Sequence, residues 1–132
     1  MITLLTKLRA IERELSAIRG DFEFFGLMLR AGSPGKWDLV VAAPWLDPEK
    51  RRSTKLIDDE LRKHLNVYDK IHLSRIVVLD PQGPMLEALM TRFSVLHGLE
   101  ETREESFLDL DFERIYVITA GRTGITQTSQ VS

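Results

Sequence analysis

Two short stretches end an apolar run in the same way, Trp45-Leu46-Asp47-Pro48 and Val78-Leu79-Asp80-Pro81. If the two runs are parallel strands, Asp47 and Asp80 meet at the carboxyl edge of a sheet, where open α/β sheets bind their ligands. Two carboxylates there can hold Mg²⁺ through a few oxygens and several waters. The same residues also have a purely structural use. Asp before Pro suits a helix start, with Asp capping free N–H groups and Pro in the first helical position. The cap is the expectation for Asp47. For Asp80, the following Pro81-Gln82-Gly83-Pro84 points to a turn.

A second group of chemically capable residues surrounds the first corner. Arg30, Lys36, Lys50, Arg51, Arg52 and Lys55 place six cations in a window that holds three acids, Asp38, Asp47 and Glu49. The chain's two tryptophans, Trp37 and Trp45, lie in the same window. Cations interleaved with aromatics suit single-stranded nucleic acid or a phosphorylated ligand. Four cations at the start of a helix oppose its dipole, so either the helix begins nearer Ser53 or the charges serve an anionic partner. Lys36, Lys50, Arg51 and Arg52 are the anion-binding candidates, and Asp47 and Asp80 the metal candidates.

Several other chemistries are excluded. No GxxxxGK[ST] phosphate loop exists. The GxxG runs at Gly32 and Gly121 are not placed between helices, as a nucleic-acid clamp would require. His64, His72 and His97 lack i,i+4 spacing among themselves, and the chain has no cysteine, so disulfides, thiolate metal sites and thiol nucleophiles are absent. His64 and His97 are expected in the last turns of helices, where the dipole favours partial positive charge. Glu12 and Asp38 resemble in layout the first carboxylates of metal-dependent nucleases that carry a (D/E)xK element. No lysine here has Asp or Glu two positions before it, so the element is missing.

These residues must be carried by a small domain. With 132 residues, 43% hydrophobic and 29% charged, the chain has ordinary globular values, and its formal charge of −2 gives no global attraction for nucleic acid. The longest apolar run, Leu39 to Leu46, is too short to span a bilayer. Charges from Lys7 onward argue against a signal peptide. A cytoplasmic protein without a membrane segment is expected.

Leu4, Leu8, Ile11, Leu15 and Ile18 form a helical stripe closed by Gly20. It suits packing on the domain's own sheet and also leaves open a dimer seam. Phe22–Arg30 and Lys36–Ala43 read as an antiparallel hairpin around Gly32-Ser33-Pro34-Gly35. A helix through Leu56, Ile57, Leu61 and Leu65 follows, then a strand over Ser74–Asp80 whose β-branched run suits a sheet interior. A helix over Pro84–His97, a solvated acidic connection over Glu100–Glu105 and a last strand over Phe112–Thr119 complete the domain. Residues 1–120 thus read as one α/β domain with a mixed sheet of about four strands, and 121–132 as a flexible tail.

The segments GKWDLVVAAPWL and SRIVVLD resemble a family of small bacterial α/β proteins, over most of the chain up to about Ala120. The resemblance implies no particular activity. With no complete catalytic constellation, the expected function is that of a non-enzymatic binding or interaction protein without a cofactor, assembled as a homo-oligomer such as a homodimer. The stripe and the opposed basic and acidic blocks (Leu99 to Arg114 for the latter) support assembly. The alternative is a Mg²⁺-dependent enzyme acting on a phosphate ester or nucleic acid, with Asp47 and Asp80 on the metal and Lys50, Arg51 or Arg52 on phosphate.

Overall fold

The computed structural model describes residues 1–121, so the tail expected over 122–132 lies outside the described residues. Four helices and five strands follow in the order α1 (Ile2–Arg19), β1 (Phe24–Arg30), β2 (Trp37–Ala42), α2 (Arg51–His64), α3 (Val67–Ile71), β3 (Leu73–Val78), α4 (Pro84–Arg92), β4 (Glu100–Phe107) and β5 (Leu110–Ala120). The strands form one mixed sheet in the order β3-β2-β1-β5-β4. Only β2 and β3 pair in parallel, as a helical connection between them requires. The fold is α/β, with one strand more than the sequence suggested.

The stripe on α1 packs inward. Leu4, Leu8, Ile11 and Leu15 are buried in one core with Ile57 and Leu61 of α2 and with Phe25, Leu27, Leu39 and Val41 of the sheet. Those four residues therefore cannot form a seam between subunits, and only Ile18 of the stripe is exposed. The alternate strand positions Phe24, Met28, Val40 and Ala42 join a second core with Leu86 and Leu89 of α4. Burial on both faces explains why β1 and β2 are apolar without alternation. Gly26 is required by close approach, since a Cβ there would meet the Tyr116 carbonyl oxygen at 2.6 Å. The β1–β5 register shifts at that point, between Phe25 and Gly26.

Three local expectations are corrected. The helix expected to reach His97 ends at Arg92, because Phe93 is extended and Val95 then pairs with Ala120 through two backbone hydrogen bonds of 3.1 and 2.8 Å. The acidic stretch Glu100–Glu105 is not a connection but most of β4, paired antiparallel with β5. Its charges suit an edge strand, where they discourage pairing with another chain. The β-branched run of β3 lies at the other edge and is only half-buried, rather than in the sheet interior.

Helix α3 is held by a capping box. The Asn66 side chain accepts from the Asp69 N–H at 2.9 Å, and the Asp69 carboxylate accepts from the Asn66 N–H at 3.1 Å. Asp69 also meets Lys7 Nζ at 2.6 Å, which ties α3 to α1. The hydrogen bond from Lys7, followed by that from the Asn66 N–H, holds the Asp69 carboxyl below its usual range. A lowered folded value means stabilisation that is complete above the ordinary aspartate range and lost as pH falls through the folded value. Asp69→Asn should therefore be less stable than wild type by about 1 kcal/mol at neutral pH. Thermal melts should show that difference shrinking as pH falls below the ordinary aspartate range; a gap independent of pH would contradict the pairing.

Candidate functional site

The hairpin and the parallel strand pair together build a cationic cleft at one end of the sheet. The turn between β1 and β2 uses positive φ at Gly32 and Gly35, and its backbone bonds link Arg30 to Ser33 and Ser33 to Lys36. Arg30 and Lys36 are thereby folded to the same end. Register places Asp38 of β2 beside Arg75 of β3, and Arg75 Nε donates to Asp38 Oδ1 at 3.2 Å. Arg30, Ser33, Lys36, Asp38, Ser74 and Arg75 line a cleft of about 220 Å³. Three cations against one carboxylate leave its lining with two positive charges in excess.

The cleft continues into an apolar recess of about 70 Å³ that shares Arg30, Asp38 and Arg75. Met28, Val40 and Val77 form its floor, with Met85 of α4 and Phe112 of β5 beside them. Arg75 is held by Asp38, while Arg30 and Lys36 make no ion pair or side-chain hydrogen bond among the described residues. A guanidinium and an ammonium with free donors beside an apolar recess can bind a small anion that carries an apolar body.

The basic window seen in the sequence is therefore divided. Lys36 joins the cleft, whereas Arg51, Arg52 and Lys55 lie on α2 beside Asp58 and Ile76, with Lys55 paired to Asp59 at 3.0 Å. Lys50 precedes α2 and donates its backbone N–H to the Asp47 carbonyl. The tryptophans do not present faces for stacking bases. Trp37 packs on Tyr116, and Trp45 packs on Phe22 and donates Nε1–H to the Gly20 carbonyl.

Asp47 does not cap α2, which starts at Arg51 without a side-chain cap. The first turn after Pro48 closes on itself instead: Asp47 Oδ1 accepts from the Glu49 N–H at 2.9 Å, and the Asp47 N–H donates to Ser53 Oγ at 2.8 Å. Asp80 closes its own turn in the same manner, accepting from the Gln82 N–H at 2.9 Å. Among the described residues, the three-residue group whose ligand atoms converge is Glu14, Glu60 and His64, and it includes neither aspartate. Part of the acidic block is paired within the chain, with Arg92 on Glu100 and Glu105 and with Arg103 and Arg114 on Glu101.

One polar cluster was not legible in the sequence. Glu12 is fully buried, and its carboxylate accepts from Ser16 Oγ at 3.1 Å and Thr119 Oγ1 at 2.9 Å. His97 Nδ1 lies 2.8 Å from both carboxylate oxygens. A carboxylate only accepts, so Nδ1 is the donor. Nε2 is left toward Asp21 at 3.5 Å. His97 is thus not a helix-end residue; it sits at φ 51° in the connection to β4, where its N–H donates to Thr119 Oγ1. His64, by contrast, does close α2.

No family model, no curated protein and no solved structure matches the chain. No helix among the described residues is long and apolar enough to cross a membrane. The fold and the cleft define an α/β protein with a cationic, partly apolar cleft at one end of its sheet. Glu12→Ala should cost about 3–5 kcal/mol in urea unfolding, because removing one member of a buried polar group strands the others. His97→Ala, whose ring reaches the surface, should cost less. Equal and small losses for both would contradict the fastening role of Glu12.

Proposed function

We propose that the protein is a non-enzymatic binding protein whose ligand is a small organic anion, a carboxylate or phosphate joined to a short apolar body. The observation that carries this reading is the pair of uncommitted cations, Arg30 and Lys36, at the mouth of a cleft that runs onto apolar floor. Arg75 offers the guanidinium nitrogens that Asp38 does not engage, in a fixed orientation suited to a planar or tetrahedral anion. Ser33 and Ser74 supply hydroxyl donors for the remaining oxygens. The recess favours an apolar substituent over a fully hydrated ion.

Titration of the labelled protein by NMR with phenyl phosphate, benzoate and inorganic phosphate tests this. The two aromatic anions should shift resonances of Arg30, Lys36 and Arg75 and bind more tightly than phosphate, with affinity falling as salt rises. Arg30→Ala and Lys36→Ala should each weaken binding about tenfold, the worth of one charge-assisted hydrogen bond. Arg51→Ala and Arg52→Ala should have little effect. Absence of shifts at low salt, or unchanged affinity in the cleft variants, would remove the proposal.

A homo-oligomer is a second reading, supported by a different observation from the stripe on α1. Val67, Tyr68 and Ile71 are exposed on α3, which leads directly into the edge strand β3. Edge strands of two copies can pair about a twofold axis and bury such side chains together. Light scattering should then give a dimer that Tyr68→Glu converts to monomer. A monomeric wild type at high concentration would leave the binding function to the single chain.

A further inference from the structure

Helices α1 and α2 pack in the same core through Leu8, Ile11, Ile57 and Leu61. Their contact brings a third chemical group together at its border. Glu60 and His64 are four residues apart on α2 and so share one face. Glu14 of α1 faces them, with Oε2 3.3 Å from His64 Nε2. Glu60 Oε2 is 3.8 Å from the same nitrogen, and the three ligand atoms lie within 4.8 Å of one another.

Hydrogen bonding within the cluster does not satisfy it. A proton on His64 Nε2 can serve Glu14, but 3.8 Å is too long for Glu60. Glu60 Oε2 is buried and has no hydrogen-bond partner, although the side chain as a whole is only 12% exposed. Its other oxygen accepts from Lys63 Nζ at 2.9 Å, so half of the carboxylate is compensated and half is not. A buried acceptor without a donor costs roughly 1–3 kcal/mol, and more when charged.

A cation in place of the Nε2 proton removes that cost. Oxygen and nitrogen ligands about 2.1 Å from a zinc-type ion stand about 3.0–3.5 Å apart at octahedral to tetrahedral angles. The separations from His64, 3.3 and 3.8 Å, stand close to that condition, and the two carboxylates, within 4.8 Å of each other, meet it by swinging inward. Two carboxylates face the ion, Glu60 keeping Lys63 on its other oxygen. The imidazole selects borderline first-row ions over Mg²⁺, which prefers oxygen and water. We propose that Glu14, Glu60 and His64 form a binding site for a zinc-type divalent cation that joins α1 to α2 and keeps a coordination position for water. The site lies apart from the cationic cleft and stands or falls independently of the anion-binding function.

Calorimetric titration of the full chain, stripped of metal with EDTA, with ZnCl₂ and in parallel with MgCl₂ is the test. One zinc per chain is expected, with magnesium binding far more weakly. Loss of even an outer partner of a ligand costs about 10–100-fold in affinity, so Glu60→Gln and His64→Gln should each weaken zinc binding by about 100-fold or more. His97→Gln should leave it unchanged. Zinc should also shift the His64 Nε2 resonance, a readout that does not depend on the variants. Absence of zinc binding into the millimolar range overturns the proposal. So does binding that persists in both Glu60→Gln and His64→Gln, or that is lost in His97→Gln alone.

Discussion

The buried carboxylate of Glu12 is the constraint from which the rest of the architecture follows. A glutamate side chain is almost never fully buried without partners, because the desolvation cost of an unpaired charge is several kcal/mol. Glu12 meets that condition with three donors from three parts of the chain: Ser16 one turn along α1, Thr119 on β5, and His97 in the connection to β4. Helix α1 cannot slide or rotate on the sheet without stranding one of them. Its rotational setting also places Glu14, roughly 200° around the helix from Glu12, toward α2 rather than toward the sheet.

The same network shortens α4. To reach Glu12, His97 takes a left-handed backbone, and the segment before it leaves the helix to pair Val95 with Ala120. Only nine residues remain helical, a cylinder roughly 14 Å long beside strands of up to about 37 Å. The opposite face carries α1 and α2 along its whole core. The sheet is therefore covered unequally, and the recess between Met85, Phe112 and the strand floor lies beside the first turn of α4.

These relations set what could be read in advance. The stripe Leu4, Leu8, Ile11, Leu15 and the two-sided apolar strands were legible, since periodicity reports burial directly. Strand β4 was not, because an edge strand that exposes Glu101 and Arg103 has no apolar alternation to show. Asp47-Pro48 misled because an Asx-type turn and a helix cap use the same residues, and only the backbone after Pro48 decides between them. The Asn66-Asp69 capping box could have been found from its spacing alone. The candidate site was half legible: Lys36 and the basic window were visible. Arg75 enters only through the parallel register that sets it opposite Asp38, a relation between positions 37 apart.

The distribution of charge shows why composition was a poor guide to the partner. A net charge of −2 predicts weak repulsion of anions by the chain as a whole. Yet at physiological ionic strength charges act over about 8 Å, so a ligand at the cleft responds to its lining and not to the total. Glu100, Glu101 and Glu105 of β4 are answered by Arg92, Arg103 and Arg114, and Asp58, Asp59 and Glu60 of α2 by Arg62, Lys55 and Lys63 along the helix. Each of these pairs is local and leaves little field beyond it. Arg30 and Lys36 have no such partner, because the hairpin turn that brings them together carries no acid of its own and Asp38 is already engaged by Arg75. The local excess of positive charge is thus a product of topology, created where a tight turn and a parallel crossover end at the same edge of the sheet.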